Sequence, residues 1–220
     1  MNSDTKNIFD DTNFKYLIWM IILVLGFSSP LLFIDKTLPS FWINQFHTPF
    51  LDHLFYYFTY FGDGLILLPV VIFLMFKKYA WAGLFAFFTI LEAVLVQLIL
   101  KKWLFAHIDR PASYIPNFDE LHQVANVNIH HLHSFPSGHT QTILMVIIFI
   151  ALGSRTNFWM NTLLVIIAII TALSRVYLLQ HFFVDIWFGA FLGFSIPVIG
   201  IYILQKTGRF PQSQKRLSFK

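Results

Sequence analysis

Long apolar runs dominate this chain and leave it few ways to fold. The first covers residues 14–34 and is followed by others at 81–100, 140–152, 158–173 and 182–204, with a shorter one at 65–76. A backbone inside a bilayer must satisfy its own hydrogen bonds, so runs of this length are read as membrane helices. Composition agrees, since 57% of the 220 residues are hydrophobic and 12% are charged. A soluble domain would carry roughly twice that charged share. The expected fold is all-α: a polytopic helix bundle of about six transmembrane helices in one domain, residues 14–204, between a polar segment 1–13 and a basic tail 205–220.

Run 14–34 lacks the basic flank and small-residue cleavage site of a signal peptide, so it is expected to remain as the first span. Residues 41–61 are aromatic, with Phe50, Leu51, Leu54, Phe55 and Phe58 at helical spacing and Asp52 and His53 among them. That pattern predicts an amphipathic interfacial helix before the second span, ended by the breaker Gly62-Asp63-Gly64. A polar loop, 106–136, separates the third and fourth spans.

Placing the fifteen Lys and Arg residues on alternate sides puts ten on one face: Lys6, Lys15, Lys77, Lys78, Arg155, Lys206, Arg209, Lys215, Arg216 and Lys220. Five fall on the other: Lys36, Lys101, Lys102, Arg110 and Arg175. The positive-inside rule then places both termini in the cytoplasm and loop 106–136 outside, in a bacterial inner (cytoplasmic) membrane. The net charge of +4 is thereby assigned to topology and not to nucleic acid. Cysteine is absent, which excludes disulfides, thiolate metal sites and cysteine-nucleophile phosphatase chemistry.

Three polar clusters meet on the outer face in this topology. Lys102 to Arg110-Pro111 leaves span three, Pro136-Ser137-Gly138-His139 opens span four, and Ser174-Arg175, His181 and Asp185 join spans five and six. A helix start is an anion site, where Ser137 and Thr140 can cap, Gly138 admits close approach and His139 adds a titratable group. Arg110 and Arg175 offer forks that match phosphate oxygens, and Lys102 adds a mobile charge. Asp185, four residues after His181, shares a helical face with it and can fix its tautomer, freeing the other nitrogen as nucleophile.

Arg110-Pro111, then Pro136-Ser137-Gly138-His139, then Ser174-Arg175 with five residues to His181 and three more to Asp185, resemble the type 2 phosphatidic acid phosphatase family, which shares its site with vanadium haloperoxidases. The resemblance covers about the central half of the chain and fits six spans. It implies a metal-independent, cofactor-free lipid-phosphate phosphatase in which His181 attacks phosphorus to form a phosphohistidine and Asp185 orients it. His139 protonates the leaving oxygen and then activates water, while Lys102, Arg110, Ser137, Gly138 N–H and Arg175 bind phosphoryl oxygens. The family spaces its lysine six residues before Arg-Pro; here Lys102 leaves seven, Trp103 holds the expected position, and Lys101 is the alternative. Compatible substrates are phosphatidic acid, phosphatidylglycerophosphate, undecaprenyl pyrophosphate and phosphorylated lipid A, with loop 112–133 choosing among them.

Other readings stand beside this one. His130, His131 and His133 lack helical metal-pair spacing and read as solvated loop residues. Glu92, with Gln97, lies within span three, about 15 Å below Lys102 at helical rise, which suggests a hydrogen-bonded packing role. The 27 phenylalanines read as lipid-facing packing and interface anchors. Transfer of the phosphoryl group to a lipid acceptor is one alternative activity. A transporter or channel lined by the polar clusters is another, although spans four and five carry few ionisable residues at depth.

Overall fold

The computed structural model describes residues 7–210, and its architecture is a helical bundle without strands among those residues. The outer parts of the expected terminal segments, 1–6 and 211–220, lie outside the described residues. Helix α1 (Thr12–Ser28) is capped by Asp11, whose carboxylate accepts from Asn13 and Phe14 N–H, and a 3-10 turn extends the apolar stretch to Leu32. α2 (Leu38–Gln45) and α3 (Pro49–Phe58) follow, the latter opened by Thr48 as cap and Pro49 at its first turn.

Gly62-Asp63-Gly64 ends this region as the sequence indicates. The two arms, Pro49–Gly62 and Gly64–Lys77, meet at a 56° bend, so the predicted interfacial helix and second span form one bent unit around the break. Helix α4 (Leu67–Lys77) is its second arm. α5 (Tyr79–Glu92) then runs into a π-helical stretch, Ala93–Leu104, giving a single apolar element of 26 residues. A short helix α6 (Pro111–Tyr114) interrupts the polar loop. The remaining helices are α7 (Gly138–Ser154), α8 (Phe158–Tyr177) and α9 (Phe183–Lys206).

Four elements are long and apolar enough to cross a membrane alone, and the bent pair makes five. The expected fourth span, α7, has 17 residues and sits at the centre of the bundle. Its residues Ile143 to Phe149 are all buried, against Phe85, Phe88, Leu74 and Ile201 among others. The outer helices keep large apolar side chains such as Trp19, Ile90 and Trp159 exposed, the kind of surface a membrane helix turns to lipid.

Close approach of α7 and α9 depends on two glycines one turn apart. A Cβ on Gly189 would stand 2.4 Å from the Ser137 carbonyl oxygen, and one on Gly193 would stand 2.2 Å from that of Gln141. Small residues four apart let helix backbones touch where lipid offers no hydrophobic drive. The consequence is local: the start of α7 is pressed onto the start of α9, where Asp185 lies.

The polar loop is anchored to the α2–α3 region. Asn44 exchanges two hydrogen bonds with the backbone of His122, His47 stacks on the His122 ring at 4.0 Å, and Asp52 accepts from His122 Nε2 at 2.9 Å and from the Tyr177 hydroxyl.

Candidate active site

Three chain segments converge where α7 and α9 start and α8 ends. In the first, Arg175 lies in the last turn of α8 and its carbonyl accepts from both Gln180 N and His181 N, at 2.9 and 3.0 Å. Leu179 takes a left-handed conformation, φ 53°, to close that turn. This is why five residues separate Arg175 from His181: the chain folds back on the arginine's own carbonyl.

His181 therefore precedes α9 instead of lying on a continuous helix with Asp185, as expected from the four-residue spacing. Phe182 is the helix cap, and Asp185 occupies the third helical position, where its Oδ2 accepts from Phe182 N at 2.9 Å. His181 Nδ1 still comes within 3.4 Å of that Oδ2, at ion-pair distance but off hydrogen-bond alignment. Ser134 donates its hydroxyl to the same oxygen. Both His181 and Asp185 are 1% exposed. Burial, reinforced by the nearby Arg110, Lys101 and Arg175 charges, holds the His181 pKa well below the usual imidazole value.

The second segment is the start of α7. The Phe135-Pro136 bond is cis, and Ser137 N donates to the Asp185 carbonyl at 3.0 Å, docking the motif on α9. Ser137 and Thr140 do not cap the helix as anticipated. Their hydroxyls bond each other at 3.2 Å, and no side chain caps α7. Gly138 is the first helical residue, and the Gln97 amide lies over its Cα, 2.6 Å from where a Cβ would stand.

The third segment brings Arg110 to join Arg175. Arg110 is buried and clamped by loop carbonyls: Nε donates to Leu132 O at 2.9 Å, Nη1 to Gln180 O at 2.9 Å and Nη2 to His133 O at 3.5 Å. Burial lowers its pKa, a pull that the Asp185 carboxylate opposes. Arg175 Nη1 donates to Thr59 Oγ1 at 2.7 Å, and its buried Nε–H has no partner among the described residues.

Lys102 is not in this set. Its side chain is exposed and outside the cavity, whereas Lys101 lines it and donates to Pro136 O at 3.3 Å. The reason is the π-helical stretch, marked at its end by Phe105 N bonding Leu100 O five residues back. In an α-helix Lys101, nine residues after Glu92, is about two and a half turns on and faces the opposite side. Bonding to the fifth residue widens each turn, making nine residues about two turns, so Glu92, Gln97 and Lys101 fall on one stripe.

These groups line a cavity of about 390 Å³. Lys101, Arg110, Arg175, His139, His181 and Gly138 surround its polar end. Glu92, Gln141 and Gln97 line its deeper wall, Gln141 Nε2 donating to Glu92 Oε2 at 2.8 Å and Gln97 Nε2 to Gln141 Oε1 at 3.1 Å. Gln141 is thus the partner of Glu92 that the sequence left open. His130 also reaches the cavity, unlike His131, which meets Ser113 Oγ at 3.1 Å. Burial and the neighbouring cations lower the His130 pKa.

Several contributors escaped the sequence reading: Ser134, Gln141, Thr59, Gly62 and Asp63. The glycine pair at 189 and 193 was a readable signal for close helix contact. The Gly62-Asp63-Gly64 break was visible too, but only as punctuation.

A bundle of membrane-length apolar helices in which three histidines, Glu92 and three cations line one cavity, with Asp185 behind His181, has the groups to hold a phosphoryl anion. Residues 81–209 match the PAP2 superfamily, and the chain belongs to that superfamily, making it a membrane-embedded phosphatase. Among solved structures, Aquifex aeolicus LpxE is similar at 27% identity and a TM-score of 0.63, over 74% of this chain and 92% of that one. A PAP2-type phosphatidylglycerolphosphate phosphatase from Bacillus subtilis shares the fold at 20% identity and a TM-score of 0.59, over 87% and 97%.

Proposed function

We propose that the chain is a metal-independent lipid-phosphate phosphatase working through a phosphohistidine. The observation that carries this is the orientation of His181, whose Nδ1 faces Asp185 at 3.4 Å and leaves Nε2 for a substrate held among Lys101, Arg110 and Arg175. Nε2 attacks phosphorus, the bond to the leaving oxygen breaks, and His139 gives that oxygen a proton. Water then attacks phosphorus as His139 takes its proton, the phosphorus–nitrogen bond breaks to free His181, and phosphate leaves. The cations offset the phosphoryl charge throughout, aided by the unpartnered Arg175 Nε–H and the start of α7. Lys101 replaces Lys102 in the phosphate-binding role; Ser137, Gly138, Arg110 and Arg175 keep theirs.

The substrates in view are phosphomonoesters or pyrophosphates of lipids: phosphatidic acid, phosphatidylglycerophosphate, undecaprenyl pyrophosphate or lipid A phosphates. The active-site face is extracytoplasmic, on the strength of the Lys and Arg distribution. A transport path to the other face is disfavoured, because buried Phe85, Phe88 and Phe149 fill the interior of the bundle.

Phosphate release by purified protein across a panel of glycerol, prenyl and lipid A phosphates, with and without a strong chelator, tests the reading. Release from at least one lipid, unchanged by chelation, is expected. No release from any removes the phosphatase proposal, and loss on chelation removes its metal independence. Since the chain lacks cysteine, a single cysteine placed in loop 112–133 should react with an impermeant maleimide in intact cells. Protection there would reverse the topology.

A further inference from the structure

The break between the two arms of the bent helix touches the chemistry directly, although residues 59–63 lie outside the segment that matches the family. Gly62 is packed on the backbone of His139: an added Cβ would stand 2.6 Å from its carbonyl oxygen and 2.8 Å from its Cβ. Asp63 follows. Its Oδ1 accepts from Leu65 N at 2.9 Å, which fixes the carboxylate on the turn that restarts the helix, and its Oδ2 stands 3.8 Å from His139 Nε2. One turn before the break, Thr59 holds Arg175. A single irregular segment therefore braces residues of α7 and α8 on the cavity wall.

The electrostatic setting gives this contact a use. His139 must carry a proton to deliver one, yet Lys101, Arg110 and Arg175 share its cavity, with His130 and His181, and each cation disfavours an imidazolium. Asp185 is turned toward His181, Ser134 and Phe182. Glu92, which also lines the cavity, is bonded to Gln141, and among the described residues Asp63 is the carboxylate at ion-pair distance from His139.

We propose that Asp63 is a positioning residue for proton transfer by His139, holding the imidazole at the cavity wall and stabilising its protonated form while the leaving oxygen departs. This rests on the phosphatase reading. The reaction is the one already written; the proton moves from His139 to the leaving oxygen, and Asp63 exchanges none.

The test is Asp63→Asn in the full-length, detergent-purified protein, with dioleoyl phosphatidic acid and p-nitrophenyl phosphate as substrates with poor and good leaving groups. General-acid assistance matters most for the poor leaving group, so its kcat should fall by about 10- to 100-fold and the aryl rate by less than about 3-fold, with KM nearly unchanged. Loss of the carboxylate makes His139 release its proton more readily, so the basic limb of the pH profile should move to lower pH. Asp63→Glu, which retains the charge, should recover most of the lipid rate. The ratio of the two rates does not depend on how much protein is folded, so partial unfolding leaves it readable. An equal loss on both substrates with an unmoved basic limb overturns the proposal. Wild-type protein that turns over neither these substrates nor any other lipid phosphate would instead remove the phosphatase reading itself.

Discussion

Asp185 Oδ2 lies 3.4 Å from His181 Nδ1 while also accepting from the Ser134 hydroxyl and from Phe182 N–H, so one buried oxygen ties the proposed nucleophile to the cap of α9 and to the segment that leads into α7. Replacement by Asn removes the charge and can present an amide N–H to the ring. Asp185→Asn should lower kcat by about 10²- to 10⁴-fold with a small change in KM, the pattern of a lost orienting and charge-stabilising group. Ser134→Ala removes one of three contacts and should cost less, about 3- to 10-fold. Steady-state kinetics on a lipid phosphate reads both, and equal losses would contradict the hierarchy.

The two adjacent lysines should separate cleanly. Lys101→Ala removes a cation from the cavity and should cut kcat/KM by about 10- to 100-fold, as expected of a lost charged phosphate contact. Lys102→Ala changes an exposed side chain and should stay within about twofold. The reverse order would mean that the π-helical register is not the one in the active protein.

His181 makes stability depend on pH. Its pKa is lowered in the folded protein, so on acidification the unfolded chain takes up a proton that the folded one refuses. The penalty is absent above the unfolded imidazole pKa of about 6.5 and grows as the pH falls below it. Thermal melting in detergent should therefore drop between about pH 7 and pH 5, and His181→Asn should flatten that drop. The same low pKa keeps the ring neutral and nucleophilic at ordinary pH.

Gly189→Ala adds one methyl group at a backbone crossing. The nearest atom is the Ser137 carbonyl oxygen at 2.4 Å, which cannot swing away as a side chain could. Overpacking of this kind costs about 1–3 kcal/mol, and the displacement falls on the segment carrying His139. Both melting temperature and kcat should fall. Gly83→Ala, where nothing among the described residues stands within 4 Å of the added carbon, is the control and should lower neither.

The helical class, the break at 62–64 and the residues of the two histidine motifs could be read from sequence because they depend on local signals: apolar length, glycine, and fixed spacing. Lys101 stood there only as the alternative, since the spacing to Arg-Pro favoured Lys102 and gave no sign of the local unwinding that turns Lys101 to the cavity. The Asp185–His181 contact was anticipated through the wrong geometry. A turn at Leu179 brings the pair together, where the spacing suggested a shared helical face. Ser134, Thr59 and Asp63 carry no signal of their own. Each matters only because a distant segment arrives beside it, and the partners of Thr59 and Asp63 lie 116 and 76 positions away along the chain.

The central position of α7 bears on how the enzyme senses its bilayer. With Ile143 through Phe149 all enclosed by neighbouring helices, the helix that starts at Gly138 has almost no surface of its own to match to lipid. Changes in bilayer thickness act on helices through tilt and bending at their lipid-facing surfaces. That stress falls first on the outer jacket of α1, α5, α8 and α9, and it reaches His139 only through contacts such as Gly189 on Ser137. The reacting groups are mounted on an inner post whose surroundings are protein, and the membrane sets the post's height without gripping it.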